Sequence, residues 1–462
     1  MGNVKENTSL DITAEEAASI DQEHVWHHLM QHKGFESTTP MIMVSGEGMR
    51  ITDDKGNEYL DAVAGAVWTV NVGYGRERIA KAVYDQIKTM NFFAGSMGSI
   101  PGAKFAEMLT DKMPGLSRVY YSNSGSEANE KAFKMVRQIS HNKYGGKKNK
   151  ILFRERDYHG TTISALSATG QTQRKAQYGP FTPGFVEFPH CCEYRSQLGD
   201  VKDFGVQAAL EMEKVILAEG PDTVGAVIVE PITAGGGVIP PPQGYYETIQ
   251  MLCEKYNLLI IVDEVVCGLG RTGTWFGYQH YGIKPDIVTM AKGVASGYAA
   301  ISCTVTTEKV FELFKEEPTD GMSFFRDIST FGGCTAGPAA AIENMKIIEE
   351  ENLLDNVNKM GEYAMQRMLA MKEKFSIIGD VRGKGLFLGI ELVKDRETKE
   401  PVDESVTIAI AGDCMKQGVI IGRTNKSFET FNNTLCLAPA LIATKDDIDE
   451  IMDAIESALT RI

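Results

Sequence analysis

The sequence predicts an α/β fold, with a mainly parallel central sheet in a large domain and a smaller α+β domain assembled from the N- and C-terminal segments. Three observations lead there. Between residues 77 and 335, short apolar, β-rich runs alternate with helix-like patterns, as parallel strands with crossover helices require. Residues 41–63 instead alternate apolar and turn residues around Lys55-Gly56-Asn57, the pattern of a small antiparallel meander. Finally, the chain has 462 residues, whereas single cores stop growing at roughly 250–300.

Taken in order, residues 1–76 hold the meander and contribute to the small domain. Residues 77–335 form the large domain: a helical pattern begins at Ile79, Val83 and Ile87, and strands are expected at 118–122, 150–153, 223–229, 258–262, 287–290 and 300–305. Residues 336–462 complete the small domain, with helices over 339–351 and 357–374, strands punctuated by glycine over 377–392, and a capped helix from Lys445. Open parallel sheets gather their chemistry at the carboxyl ends of strands. Ser124 to Ser126, Tyr158, Glu230, Asp263 and Lys292 all follow an expected strand there.

Bulk composition narrows the function classes. With 47 basic and 62 acidic residues the formal net charge is −15, which repels nucleic acid and anionic membrane surfaces. Small-molecule partners are therefore expected, with no nucleic acid and no membrane. No run of about eighteen apolar residues occurs, and residues 1–20 are polar, without the pattern of a secretory signal. The eight cysteines, at 191, 192, 253, 267, 303, 334, 414 and 436, show no CxxC spacing and point to a reducing, cytoplasmic location. Histidines 24, 27, 28 and 32 have helical spacing. With no carboxylate or cysteine evident beside them, they are read as part of an amphipathic N-terminal helix at a subunit interface and not as a metal site.

The chemistry centres on Asp263 and on Lys292, twenty-nine residues further on. Asp263 ends the apolar run 258–262, and Lys292 lies in Met290-Ala291-Lys292-Gly293 after a second apolar run. An aspartate at a strand end often does no more than cap the next helix, and most lysines are solvated surface charges. Together, a strand-end carboxylate and a desolvated amine are what pyridoxal 5'-phosphate (PLP) needs: one keeps the pyridine nitrogen protonated, the other forms the Schiff base. Gly125-Ser126 opens a helix, where backbone N–H groups and the helix dipole attract a phosphate. Tyr158 offers a flat ring for one cofactor face. Val265, two residues after Asp263, would share its direction if the strand continued.

The ordered set Asn123-Ser124-Gly125-Ser126-Glu127-Ala128-Asn129-Glu130, Tyr158-His159-Gly160, Val229-Glu230-Pro231, Val262-Asp263-Glu264-Val265, Gly268-Leu269-Gly270-Arg271-Thr272-Gly273, Ala291-Lys292-Gly293 and Ser329-Thr330-Phe331-Gly332-Gly333 resembles the class III (omega) aminotransferases over nearly the whole chain. The resemblance implies the type I PLP-dependent transferase fold. It implies Lys292 as the Schiff-base lysine, Asp263 as the partner of the ring nitrogen, Gly125 and Ser126 on the phosphate, and Tyr158 and Val265 on the ring faces. Glu230 would lie near cofactor and substrate. Thr330 would reach the phosphate of the other subunit, making a homodimer with a shared active site; dimer and tetramer both stay open. The chain departs from the family pattern at Val266, where many members carry glutamine, and at Cys334-Thr335, where Asn-Pro is usual.

For substrate, the resemblance of Gly65–Gly75 implies Trp68 as a pocket wall, with a core tryptophan as the alternative. Arg423 would hold the acidic group of the substrate, since arginine suits a bidentate oxyanion. Together with the segment 25–33, these imply transamination of an omega-amino compound, taurine first, with pyruvate as acceptor, giving sulfoacetaldehyde and alanine. β-Alanine, GABA or a diamine stay open as donors. A PLP-dependent decarboxylase or aminomutase would share the cofactor residues, and a nucleotide-binding module would explain the glycine-rich turn but not Lys292.

Overall fold

The computed structural model describes residues 12–36, 38–196, 198–315, 321–424 and 433–462. Strands β1 (Met43–Glu47), β2 (Arg50–Asp53) and β3 (Glu58–Asp61) form the expected antiparallel meander. Asp53 closes its second turn by accepting the N–H groups of Lys55 and Asn57 at 3.0 and 2.8 Å.

The central sheet has seven strands: β4 (Arg118–Ser122), β5 (Lys150–Arg154), β6 (Phe185–Phe188), β7 (Val224–Val229), β8 (Leu259–Asp263), β9 (Ile287–Met290) and β10 (Ser302–Thr306). Their order is β4-β10-β9-β8-β7-β5-β6. All neighbours from β9 to β6 run parallel, and β10 is antiparallel to both β9 and β4. The fully buried runs of β7 and β9 explain their continuous apolar sequences, since both sheet faces are covered by helices. Strand β6 has no counterpart among the expected strands. It is a four-residue edge strand between Pro183 and Pro189, too short to show alternation.

The C-terminal part adds β11 (Ile378–Lys384), β12 (Phe387–Leu392), β13 (Val419–Ile420), β14 (Gly422–Thr424) and β15 (Thr434–Leu437). Strands β11, β12, β15 and β14 make a third, antiparallel sheet. The short β13 instead pairs in parallel with β3, so one sheet is shared by the N- and C-terminal parts of the chain. The last helix, Lys445–Thr460, starts at a capping box of Thr444 and Asp447.

One expectation is corrected. The first helix, Ala14–His24, is set by a capping box of Thr13 and Glu16 and stops at His24, because Val25 is extended. His27 Nε2 turns back to within 2.6 Å of Asp21 Oδ1, and the His27 N–H donates to His32 Nε2. The four histidines therefore share no helical face. Among the described residues, no group of three or more His, Cys, Asp or Glu could hold a metal ion, and no helix is long and apolar enough to cross a membrane.

Arg271 ties the parts together. Fully buried, it donates to the carbonyl oxygens of Leu386 (3.2 Å) and Pro439 and to Asn71 Oδ1 (2.8 Å). Burial holds its pKa down at about 10. Arg271→Met strips three buried acceptors of their donor at roughly 1–3 kcal/mol each. The thermal unfolding midpoint is expected to fall by roughly 3–9 °C, read by circular dichroism.

Candidate active site

Asp263 ends β8 in register with Thr289 on β9, and its side chain is 3 % exposed. A carboxylate this deep needs donors on both oxygens. Oδ1 accepts the N–H of Val265 at 3.0 Å. Oδ2 accepts Asn129 Nδ2 at 2.8 Å and His159 Nδ1 at 2.9 Å. Asn129 is itself held, donating to the His159 carbonyl (2.7 Å) and accepting from the Thr289 hydroxyl (2.7 Å). No lysine or arginine of the described residues lies within ion-pair distance of Asp263, so the carboxylate is held by hydrogen bonds and has room for a cationic partner.

Lys292 follows β9 and the buried Ala291 with φ of +39°, a left-handed conformation that an L residue adopts at a cost of order 1–3 kcal/mol. Space beside it depends on Gly293, where a Cβ would fall 2.3 Å from Asn71 Nδ2. Burial holds the Lys292 amine below the ordinary lysine value; the charges of Asp263 and Glu230 oppose this, and that of Arg174 adds to it. A neutral amine is a nucleophile and a base.

Both residues open into a cavity of about 190 Å³, lined also by Trp68, Gly125, Ser126, Tyr158, Glu230 and Val265. Helix Gly125–Tyr144 begins here, with Ser124 as its cap accepting the N–H of Glu127 at 3.2 Å. The capping and phosphate readings of this segment are thus compatible: Ser124 caps, while the first-turn N–H groups of Gly125 and Ser126 have no partner within the helix. Val265 reaches the cavity by a different route from the one expected. The strand stops at Asp263 and the chain turns, yet Val265 packs over Gly125, where a Cβ would lie 2.9 Å from its Cγ2.

Glu230 follows β7. Its Oε2 accepts the N–H groups of Tyr158 (3.1 Å) and Ala234 (3.2 Å). Burial, with the charges of Asp157 and Asp263, pushes its pKa well above the usual carboxylate range. Beneath it, Arg154 and Asp157 form a buried pair at 3.1 Å. Arg154 Nη2 donates to the Glu230 carbonyl at 2.7 Å, and Asp157 Oδ2 accepts the Glu230 N–H at 3.0 Å. Trp68 sits in a loop with positive φ at Ala64, Gly65, Ala66 and Trp68. Asp61 holds this loop by accepting from the N–H groups of Val63 (2.9 Å) and Gly65 (2.6 Å). The indole stands edge-on to Phe387, with Lys292 Nζ 5.6 Å from its ring.

Two expected residues lie apart from this cavity. Thr330 is in a short helical turn, Thr330–Gly333, exposed alongside Ile328 and Phe331. Arg423 lies on β14, its Nη1 donating to Glu404 Oε1 at 3.0 Å. Sequence reasoning placed His159 beside Tyr158 among the strand-end candidates without giving it a role, and did not single out Asn129, Arg154 or Asp157. The available signal was an asparagine one turn into a helix, where its propensity is poor.

The donor set fits PLP: a buried carboxylate with no lysine or arginine partner for a protonated ring nitrogen, a helix N-terminus for a phosphate and a lysine amine for a carbonyl. A family model described as Aminotransferase class-III matches residues 32–459. The chain belongs to the class III aminotransferases. Enzymes of this class use PLP, and the fold is the type I PLP-dependent fold that the sequence implied. This aminotransferase is 64 % identical over 457 residues to the hypotaurine/taurine--pyruvate aminotransferase of Paracoccus denitrificans, covering 98 % of this chain and 99 % of that one. It is 63 % identical over 447 residues to the taurine--pyruvate aminotransferase of Bilophila wadsworthia, covering 97 % of each. Among solved structures, an aminotransferase of Bacillus anthracis superposes with a TM-score of 0.92 at 39 % identity, covering 97 % of this chain and 98 % of that one. The omega transaminase of Pseudomonas jessenii in complex with PMP gives 0.89 at 32 % identity, covering 96 % and 97 %.

Asn129→Ala removes one donor from Asp263 and leaves the buried Thr289 hydroxyl without its acceptor. The dissociation constant of PLP is expected to rise roughly tenfold to a hundredfold, measured by equilibrium dialysis of the apoenzyme.

Proposed function

We propose that this aminotransferase moves the amino group of taurine to pyruvate, releasing sulfoacetaldehyde and alanine. The observation that carries the reading is identity of 62–64 % over 96–98 % of the chain to relatives named for taurine and pyruvate. When bound, PLP supplies a carbonyl that carries the amino group and a ring that takes up electron density from the amine-bearing carbon. Asp263 is the residue that would keep the ring nitrogen protonated. Gly125, Ser126 and the first turn of helix Gly125–Tyr144 would hold the phosphate, while Tyr158 and Val265 would cover the ring faces.

Lys292 Nζ, whose proton affinity desolvation lowers, takes the proton from the amine-bearing carbon of taurine and in the second half-reaction delivers one to the carbon that was the carbonyl of pyruvate. Trp68 and Glu230 bound the space left for these two substrates and exclude water from it. Glu230, held toward its neutral form, adds little repulsion to an acidic substrate.

The reading includes a homodimer. Thr330 does not line the cavity of its own chain, and it stands on a surface where Ile328 is 79 % and Phe331 64 % exposed; a second copy covering that surface would bring Thr330 to the partner's phosphate. The eight free cysteines support a cytoplasmic location.

In a coupled assay, alanine is expected from pyruvate with taurine at a higher kcat/KM than with β-alanine, GABA or a diamine. No alanine from taurine removes the leading donor. Lys292→Ala is expected to lower turnover by on the order of 10⁴-fold, and normal turnover in that variant would refute the assignment.

A further inference from the structure

The cavity has an electrostatic problem. Asp263 lines it, and Lys292 is the only lysine or arginine among its lining residues. Lys292 is the reacting amine, so a substrate with an acidic group needs another cation. Arg423, the sequence-based choice, is paired with Glu404. A second arginine contacts a cavity residue directly. Arg174, in the short helix Thr172–Lys175, stands with its guanidinium 5.2 Å from the centre of the Tyr158 ring.

Tyr158 lines the cavity, which puts Arg174 at its edge, and the residue before the helix borders the cavity too. Gln171, just before this helix, is fixed by donating to the Arg156 carbonyl at 2.9 Å. Its amide lies against Gly235, a cavity residue, so closely that a Cβ on Gly235 would fall 2.9 Å from Gln171 Nε2. Arg174 Nε is buried without a hydrogen-bond partner, and the residue forms no ion pair with a carboxylate among the described residues. A buried guanidinium N–H without an acceptor is costly, and an oxyanion is the partner it fits best. Stacking on Tyr158 holds the group in place.

We propose that Arg174 is a specificity-determining cation that receives the acidic group of each substrate in turn, the sulfonate of taurine and the carboxylate of pyruvate. The inference rests on the proposed reaction for the identity of the donor but requires only that the donor be acidic. Binding then supplies the missing acceptor to Nε. The bidentate guanidinium suits a sulfonate and a carboxylate alike.

The test uses the holoenzyme with Arg174→Met and Arg174→Lys, reading kcat and KM for taurine and pyruvate and the inhibition constant of ethanesulfonate, which has the sulfonate but no amine. Arg174→Met is expected to raise both KM values and that inhibition constant by roughly tenfold to a hundredfold, with a smaller change in kcat, and Arg174→Lys to recover part of the loss. A fall in kcat at unchanged KM, or an unchanged inhibition constant, overturns the proposal. An effect confined to pyruvate overturns the sulfonate role. If the wild-type enzyme makes no alanine from taurine, the proposed reaction fails, and Arg174 is read with β-alanine and propionate, where the same rise is expected. Arg174→Gln replaces Arg174→Met should the latter not fold.

Discussion

A carboxylate taken out of water at the end of a central strand costs several kcal/mol unless hydrogen bonds replace its hydration, and Asp263 obtains them from three different parts of the chain. Asn129 comes from the first turns of the helix after β4, His159 from the loop after β5, and the third donor is the N–H of Val265 in its own turn. Each donor must hold its position for the buried carboxylate to stay hydrogen-bonded. That requirement locks the helix N-terminus, the loop bearing Tyr158 and the ends of β8 and β9 into one register. Thr289, directly across from Asp263, closes the arrangement through Asn129.

The chemistry follows from this arrangement and its opposite. Asp263 is buried with hydrogen-bond donors on both oxygens; the Lys292 amine is instead set against the Trp68 ring, and desolvation lowers its proton affinity. A hydrogen-bonded carboxylate and an amine of lowered proton affinity face one small cavity, where electrostatic interactions are stronger than in water. Strain concentrates here as well, in the left-handed backbone of Lys292 and in the loop carrying Trp68, as at sites where surrounding structure over-determines geometry.

Much of this was legible in sequence because strand ends are. The apolar runs before Glu230, Asp263 and Lys292 are buried on both faces, so periodicity and composition locate them, and one cofactor explains their order. Local pattern failed where tertiary contacts decide. Val265 reaches the cavity through a turn that no strand periodicity encodes. His24, His27, His28 and His32 keep helical spacing in a segment where Asp21 pulls His27 back and the helix has already ended. Strand β6 is held by its neighbour β5 and not by its own four residues. The pair Arg154 and Asp157 under Glu230 carries no sequence signature, because burial is what gives it meaning. Arg174 likewise becomes a candidate only once its guanidinium is seen over the Tyr158 ring.

The central claim is that one amine, that of Lys292, carries the cofactor in the cavity it shares with Asp263. Borohydride treatment of the purified protein followed by peptide mass spectrometry tests it directly. The account requires a single stable adduct of reduced pyridoxyl phosphate mass on the peptide containing Lys292, formed in stoichiometric yield. An adduct on another lysine, or none in a protein that catalyses transamination, would contradict it.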